Sequence, residues 1–260
     1  MRGTIVLSEG RSGTNWLGDL ANSTNVLGIR DEWLAPVVNN INYQDTSVDT
    51  LLSKITSMAS TPNEIFLLKV FPYQLFDFYQ LYKADPLKRI ASKSDVQFIR
   101  LERRDRLAQA ISYTKASQAK AWTSSEGGRG PLEYSFESIC RFYFLIERSY
   151  SFWRSYTELN GMPTKVFIYE DLLPDGDDFV KALANHAEVS EYQGTSSPLQ
   201  IQRDSVSGEW RSRFLEEIGD KEMLDFVSPS RPSHLRVSNF WRLLTGTPLK
   251  PYPHLYQWRP

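Results

Sequence analysis

The sequence predicts an α/β fold: a three-layer sandwich in which a central, mostly parallel sheet is flanked by helices. Short apolar runs of strand length alternate along the chain with longer stretches whose apolar residues recur at helical spacing. Basic and small polar residues directly follow two of the strand runs, and open parallel sheets bind ligands at the carboxyl ends of their strands. The length of 260 residues suits one large domain, and we expect residues 1–260 to form a single domain.

The first strand-to-helix junction carries a clear functional signal. The run Thr4–Ser8 is apolar and β-branched, as in a buried strand, and a helix is expected from Trp16 onward. The connecting segment, Gly10–Asn15, consists of small and polar residues with one arginine, Arg11. Such a loop directs backbone N–H groups at its centre from the positive end of a helix dipole, and therefore binds a phosphate-like anion. The alternative is an ordinary turn that carries a surface arginine.

This loop differs from the Walker A loop of ATP-binding enzymes. Ser8 stands five residues before Gly13, where that motif has glycine, and Thr14 stands where it has lysine. The cation is Arg11 instead, two residues before the glycine. A kinase-like phosphotransferase that uses ATP and magnesium is an alternative function, and it requires the lysine that this loop lacks.

The remaining elements follow from the same patterns. Predicted helices are Val48–Ala59, Tyr73–Tyr82, Phe136–Leu159 and Asp178–Glu188, and predicted strands are Ile65–Val70, Val96–Leu101 and Val166–Tyr169. The glycine-rich segment Ser124–Pro131 is either an interdomain connector or a loop over the substrate cleft. The tail 229–260 is rich in proline and aromatic residues, so we expect irregular structure that wraps the domain or meets a second subunit in a homodimer.

Two charged side chains elsewhere in the chain are candidates for a catalytic or substrate-binding role. Glu32 is one of two adjacent acids that follow the first helix, and it is either a general base or a solvated loop charge. Lys69 lies near the end of the predicted strand Ile65–Val70, where its ammonium either points into a cleft or snorkels to the surface.

The second strand-to-helix junction is basic. A cluster of arginines follows the strand Val96–Leu101, and Asp105 can cap the next helix. Arg104 and Ser112 lie eight residues apart, so they can converge on one anion only if that anion lies against the helix flank. The alternative is a solvated basic cap.

Composition argues against several other classes of function. The 30 lysine and arginine residues nearly balance the 31 acidic residues, so we expect no nonspecific binding to nucleic acid. No run approaches the roughly 20 apolar residues of a membrane span. The three histidines are scattered without metal-ligand spacing, so we expect no metal site. A single cysteine and a first strand close to Met1 suggest a cytoplasmic protein without a signal peptide.

Three segments carry a resemblance to a known family. Gly10–Trp16, GRSGTNW, resembles the P-K-x-G-T-T-W loop of the sulfotransferases that use 3′-phosphoadenosine 5′-phosphosulfate (PAPS). Arg103–Trp122 resembles the pattern R-R-D-x-x-x-Q-A-x-S-x-x-x-A-x-Q-x-x-x-W of the bacterial trehalose 2-sulfotransferase family. Gly28–Leu34 occupies the place of that family's G-x-P-x-E-F-F, with Glu32 at the acid. The family's proline is absent there, and its phenylalanine pair is Trp-Leu.

Two further segments later in the chain add to the resemblance. Tyr169–Leu172 reads Y-E-D-L, which in sulfotransferases has a mostly structural role beside the cofactor loop. Arg203–Phe214 resembles the late cofactor segment R-K-G-x-x-G-x-W, with Gly208-Glu209-Trp210 matching G-x-W.

The resemblance implies a P-loop-like sulfotransferase domain. Its enzyme would move a sulfuryl group from PAPS to a hydroxyl of a carbohydrate or glycolipid, leaving adenosine 3′,5′-bisphosphate (PAP), without a metal. It implies Glu32 as the general base, Arg11 as a second catalytic residue, and Lys69 as a residue that binds the acceptor together with Glu32. The implied cofactor-binding residues are Arg11, Ser12, Gly13, Thr14, Asn15, Trp16, Arg104, Ser112 and Arg203. A non-catalytic binder of adenosine bisphosphates, with an inert Glu32, is the alternative to an enzyme.

Overall fold

The structure, a computed structural model, describes residues 1–35, 47–121, 130–192, 194–198 and 205–223. Its strands are β1 (Arg2–Leu7), β2 (Ile65–Val70), β3 (Asp95–Glu102) and β4 (Thr164–Ile168). Its α-helices are α1 (Thr14–Ser23), α2 (Val48–Met58), α3 (Pro72–Tyr82), α4 (Pro86–Ala91), α5 (Arg106–Ala119), α6 (Phe136–Leu159), α7 (Asp177–Ala187) and α8 (Ser205–Glu217), and a 3₁₀ turn spans Tyr169–Leu172.

The described strands form one parallel sheet in the order β2-β1-β3-β4. The last residue of β1, Leu7, pairs with Val70 of β2 on one side and with Arg100 of β3 on the other. The chain therefore runs from β1 to one neighbour and then crosses to the other. Open α/β sheets bind ligands where the strand order reverses in this way. The predicted anion loop follows β1 at that point.

Helices cover both faces of the sheet, as the predicted three-layer sandwich requires. On one face, Leu7 packs with residues of α2, α3 and α4 and with Trp153 of α6. On the other face, Val6 packs with Leu17 of α1 and Phe179 of α7. Burial of adjacent β1 residues on opposite faces explains why this strand is an uninterrupted apolar run. The α/β fold class is confirmed.

Two helices are additional to those that the sequence predicts. Helix α4 is six residues long, too short for apolar periodicity, and is set by the cap Asp85 and by Pro86 at its first position. Helix α8 contains Gly208-Glu209-Trp210, so the segment that resembles the late cofactor motif is helical from Ser205. Its buried Trp210 and Phe214 pack in a cluster with α5 and α6.

Some predictions lie outside the described residues. They concern most of the segment Ser124–Pro131, Trp122, Arg203 and the tail 229–260. Among the helices in the described ranges, none combines the length and apolar character that crossing a bilayer needs.

The best-buried large side chain, Trp153, ties the core to the end of β1. It is fully buried, and its indole N–H donates to the carbonyl oxygen of Ser8 at 2.8 Å. We expect Trp153→Phe to lower the free energy of unfolding by about 1–3 kcal/mol more than Trp210→Phe, because only the first leaves a buried carbonyl without its donor. Urea unfolding of both variants measures the difference. Equal losses of stability would show that the Ser8 hydrogen bond contributes nothing.

Candidate active site

The loop between β1 and α1 has the backbone geometry of an anion site. Gly13 has φ 93°, in the left-handed region, and precedes the first turn of α1 without a side-chain cap. A Cβ atom at Gly13 would lie 2.3 Å from the Tyr169 ring, so both the conformation and the space require glycine. The first turn of α1, which begins at Thr14, also carries no acidic residue. Its backbone N–H groups and helix dipole therefore suit a phosphate.

Buried hydroxyls fasten this loop to the sheet. The Ser8 hydroxyl donates to the carbonyl oxygen of Leu101 in β3 at 2.5 Å and lies 2.8 Å from the Ser12 hydroxyl. Both serines are fully buried. The side chain of Ser12 thus stabilises the loop from within.

Helix α5 contacts the loop from the other side. Gln109 donates to the carbonyl oxygen of Gly10 at 2.8 Å, and the Nε of Arg11 donates to the Ser112 hydroxyl at 3.0 Å. Arg103, just before α5, lies with its guanidinium 3.4 Å from the carbonyl oxygen of Arg11. Because Gln109 and Ser112 are three residues apart on one helix face, a single helix holds two successive loop residues.

Arg104 forms an ion pair with Asp171 of the 3₁₀ turn, whereas Ser112 contacts Arg11 of the loop. Arg104 donates to both carboxylate oxygens of Asp171 at 2.6 and 2.7 Å, and its side chain is largely exposed. The carboxylate of Glu170 accepts from the backbone N–H groups of Arg104 and Asp105 at 2.7 and 3.2 Å. The 3₁₀ turn therefore fixes the start of α5. Arg104 would have to exchange Asp171 for a phosphate before it could share an anion with Ser112.

A second cluster joins the loop to Glu32. The ammonium of Lys69 donates to the side-chain oxygen of Asn15 at 2.7 Å and lies 3.1 Å from the Glu32 carboxylate. The Tyr73 hydroxyl and the Gln74 amide each donate to the other Glu32 oxygen at 3.2 Å. The Lys69 side chain is 10% exposed and that of Glu32 is 32% exposed. Glu32 can thus meet an incoming hydroxyl, whereas Lys69 lies behind it.

Burial determines the protonation behaviour of this cluster. Burial lowers the pKa of Lys69, and the negative charge of Glu32 partly offsets that effect. Burial raises the pKa of Tyr73, and the charge of Glu32 adds to it. Tyr73 therefore stays a neutral hydrogen-bond donor to Glu32 at physiological pH.

The segment that carries Glu32 is held against α1 and β2. The guanidinium of Arg30 pairs with the buried carboxylate of Asp19 in α1, and the Trp33 indole donates to the carbonyl oxygen of Ile29 at 2.8 Å. Gly28 has φ 94°, and a Cβ atom there would lie 2.4 Å from the backbone nitrogen of Leu67. This close approach to β2 places Glu32 beside Lys69.

Comparison with known protein families identifies the family of this chain. The family model described as Stf0 sulphotransferase matches residues 4–217, which covers most of the chain and every contact described above. The chain belongs to the Stf0 sulphotransferase family. No curated protein matches the chain significantly. This Stf0 sulphotransferase is therefore an enzyme that transfers a sulfuryl group from PAPS to an acceptor, as the sequence predicts.

The structure of this Stf0 sulphotransferase brings most of the predicted site residues together. Ser112 contacts Arg11, and Lys69 connects Asn15 with Glu32, all at the carboxyl edge of the sheet. The rings of Trp16 and Tyr169 pack edge to face with centroids 5.9 Å apart beside Gly13. Arg104 is at the same edge but is paired with Asp171. Arg203 lies outside the described residues.

Sequence reasoning missed three residues of this cluster. Tyr73 and Gln74 were predicted only as part of an aromatic helix, and their contacts with Glu32 arise from folding across about forty residues. Glu9 is a buried carboxyl inside the loop, and its isolation in the sequence gave no sign of its burial. In the described part of the chain, no group of three or more metal-ligating side chains is placed to hold a metal ion.

The loop geometry predicts that Gly13 cannot be replaced. We expect Gly13→Ala to weaken PAP binding by at least about ten-fold, because the methyl group meets the Tyr169 ring and the backbone leaves its left-handed conformation. Gly194→Ala is the matched control, since this exposed glycine has nothing within 4 Å of the added atom. Titration calorimetry with PAP measures both. Equal affinity in the two variants would contradict the loop assignment.

Proposed function

We propose that this sulfotransferase uses Glu32 as its general base and transfers the sulfuryl group to a hydroxyl of a carbohydrate or glycolipid. The observation that supports the base is the position of Lys69, whose ammonium contacts both Asn15 of the loop and the Glu32 carboxylate. One cation thus lies between a base and an anion loop. This arrangement fits a reaction in which the acceptor hydroxyl loses its proton while negative charge grows on the leaving phosphate.

The loop residues fit the phosphosulfate end of PAPS. PAPS, when bound, supplies the sulfuryl group and a phosphate leaving group. The backbone N–H groups of Ser12–Asn15, which lead into the uncapped first turn of α1, would hold that phosphate, and Arg11 would offset its growing charge. Lys69 lies next to the same loop and would hydrogen-bond the oxygen between phosphorus and sulfur.

The carboxylate of Glu32 would remove the proton of the acceptor hydroxyl. Its side chain is one-third exposed, so an acceptor can reach it, and the donors Tyr73 and Gln74 fix its orientation. The carbohydrate class of acceptor rests on the match of Glu32 and its segment to the trehalose 2-sulfotransferase pattern. A partly exposed carboxylate with neighbouring hydroxyl and amide groups also suits a polyhydroxylated ligand.

The 3′-phosphate is assigned to Arg104, Ser112 and Arg203. Ser112 already lies on the loop side of α5, where it accepts from Arg11. Arg104 supplies the charge once it leaves Asp171, an exchange that an exposed ion pair permits because solvent screens it. We also propose one sulfotransferase domain over residues 1–260.

Replacing the proposed base distinguishes an enzyme from a non-catalytic binder of adenosine bisphosphates. We expect Glu32→Gln to lower kcat by about 10²- to 10⁴-fold while PAP affinity stays within about two-fold, because the amide keeps the shape but accepts no proton. Incubation with radiolabelled PAPS and a panel of sugars, glycolipids and phenols measures transfer. Glu191→Gln, an exposed carboxylate beyond α7, is the control. Unchanged turnover in Glu32→Gln would exclude it as base.

A thermal shift experiment addresses the kinase alternative. PAP without metal should raise the Tm of the protein, since a ligand that binds only the folded state stabilises it. Stabilisation by ATP with magnesium, and none by PAP, would reject the assigned nucleotide site.

The Arg104–Asp171 pair predicts competition with the nucleotide. We expect Asp171→Asn to tighten PAP binding and Arg104→Met to weaken it, because Asp171 occupies the guanidinium that the 3′-phosphate would need. Affinity for adenosine 5′-phosphate, which has no 3′-phosphate, should change little in either variant. If both nucleotides respond equally, Arg104 does not bind the 3′-phosphate.

A further inference from the structure

The mechanism above does not use Glu9, although its carboxyl lies inside the anion loop. The residue is fully buried, so it can meet neither acceptor nor solvent. One carboxyl oxygen accepts from the backbone N–H of Gly10 at 2.7 Å and from the Tyr113 hydroxyl at 3.3 Å. The other accepts from the Ser149 hydroxyl at 2.6 Å. Glu9 therefore joins the loop to α5 and α6.

These contacts leave Gly10 little freedom. Its N–H group is bound by Glu9, its carbonyl oxygen by Gln109, and a Cβ atom at this position would lie 2.7 Å from the Tyr113 ring. The next residue, Arg11, has φ 63°, a left-handed conformation that non-glycine residues adopt only where the surroundings hold them. The Glu9 contacts thus support the turn that directs the loop toward α1.

The ionisation of the Glu9 carboxyl places a charge within the same loop. Burial raises its pKa to about 7, and the negative charge of Glu32 adds to this, while hydrogen bonds from Ser149, Gly10 and Tyr113 oppose it. The other titratable groups that interact with the charge of Glu9 are Tyr113 of α5, Tyr73 of α3, and Arg148 and Tyr150 of α6. The carboxyl therefore takes up a proton at a higher pH than an exposed glutamate does.

We propose that Glu9 is a positioning residue of the nucleotide loop, and that the loop binds the anionic nucleotide more tightly when this carboxyl is protonated. The inference rests on the proposed placement of the phosphate at Ser12–Asn15. A buried carboxylate behind a phosphate site repels the phosphate with little screening by water. By linkage, nucleotide binding then raises the affinity of Glu9 for its proton, and PAP binding takes up a proton.

This linkage sets the direction in which PAP affinity changes with pH. Well below pH 7 Glu9 is already neutral in the free protein, so it opposes binding little. As pH rises through about 7, the free protein ionises, and binding must either overcome repulsion or take up a proton. PAP affinity therefore falls with rising pH. The phosphates of PAP titrate in the same range, so only a difference between variants isolates Glu9.

Glu9→Gln is the decisive variant. The amide oxygen can still accept from Gly10 and Tyr113, and its NH₂ group can donate to Ser149, so the loop keeps its support without a titrating group. We expect PAP affinity at pH 6 within about two-fold of wild type, and at pH 8.5 about three- to ten-fold tighter binding than wild type. Calorimetry at pH 7.5 in two buffers of different ionisation enthalpy should show that Glu9→Gln takes up fewer protons on binding PAP than the wild type does.

Glu9→Ala tests the positioning role. It removes the acceptor of the Gly10 N–H, so we expect PAP affinity to fall by about ten-fold or more at every pH, with rescue by Gln. Should Glu9→Ala fail to fold, the Gln profile alone decides.

Two results would overturn the inference. The first is superposable pH profiles and equal proton uptake in wild type and Glu9→Gln. If this occurs while Gly13→Ala abolishes PAP binding, only the role of Glu9 is rejected. The second is PAP binding that survives Gly13→Ala, which rejects the proposed phosphate site and the role of Glu9 together.

Discussion

One buried ammonium, that of Lys69, holds the two halves of the site together. An unpaired charge so deeply buried would destabilise the fold by several kcal/mol, so its partners Asn15 and Glu32 are tied to it. The sheet decides where this ammonium lies, because parallel pairing sets Lys69 of β2 opposite Val6 of β1. The strand that leads into the loop and the strand that carries the cation therefore end together, and the position of Glu32 follows from both.

The loop itself depends on contacts that are distant in sequence. Helix α5 reaches it through Gln109, Ser112 and Tyr113, which share one helix face. The 3₁₀ turn supports it from the other side, where Tyr169 fills the space beside Gly13. The two basic junctions of the sequence are therefore parts of one structure, and neither could adopt its shape without the other.

Local pattern was enough to predict most of the fold. The bounds of β2 and α6 agree with the apolar spacing residue for residue, because β2 is buried on both faces of the sheet and α6 carries its buried residues at helical spacing. What the sequence could not reveal depends on distant partners. Glu9 is identified as a buried site residue only once Ser149, 140 residues away, lies beside it. Likewise the eight-residue spacing of Arg104 and Ser112 was recognised, but Asp171, which pairs with Arg104, comes from a turn 67 residues later.

Three cations of this site already lie beside carboxylates before a nucleotide arrives. Lys69 pairs with Glu32, Arg104 with Asp171, and Arg103 lies 3.5 Å from the Glu170 carboxylate. A nucleotide that displaces a carboxylate from a cation exchanges one ion pair for another, so the net gain in free energy from each exchange is small. The backbone N–H groups at the start of α1 differ, because within the described residues no side chain caps them. The balance of charge thus points to the backbone of the loop as the main source of affinity, with the side-chain cations selecting which anion fits. It also favours the proposed role of Glu9, whose buried carboxyl accepts from the backbone N–H of Gly10 in the same loop.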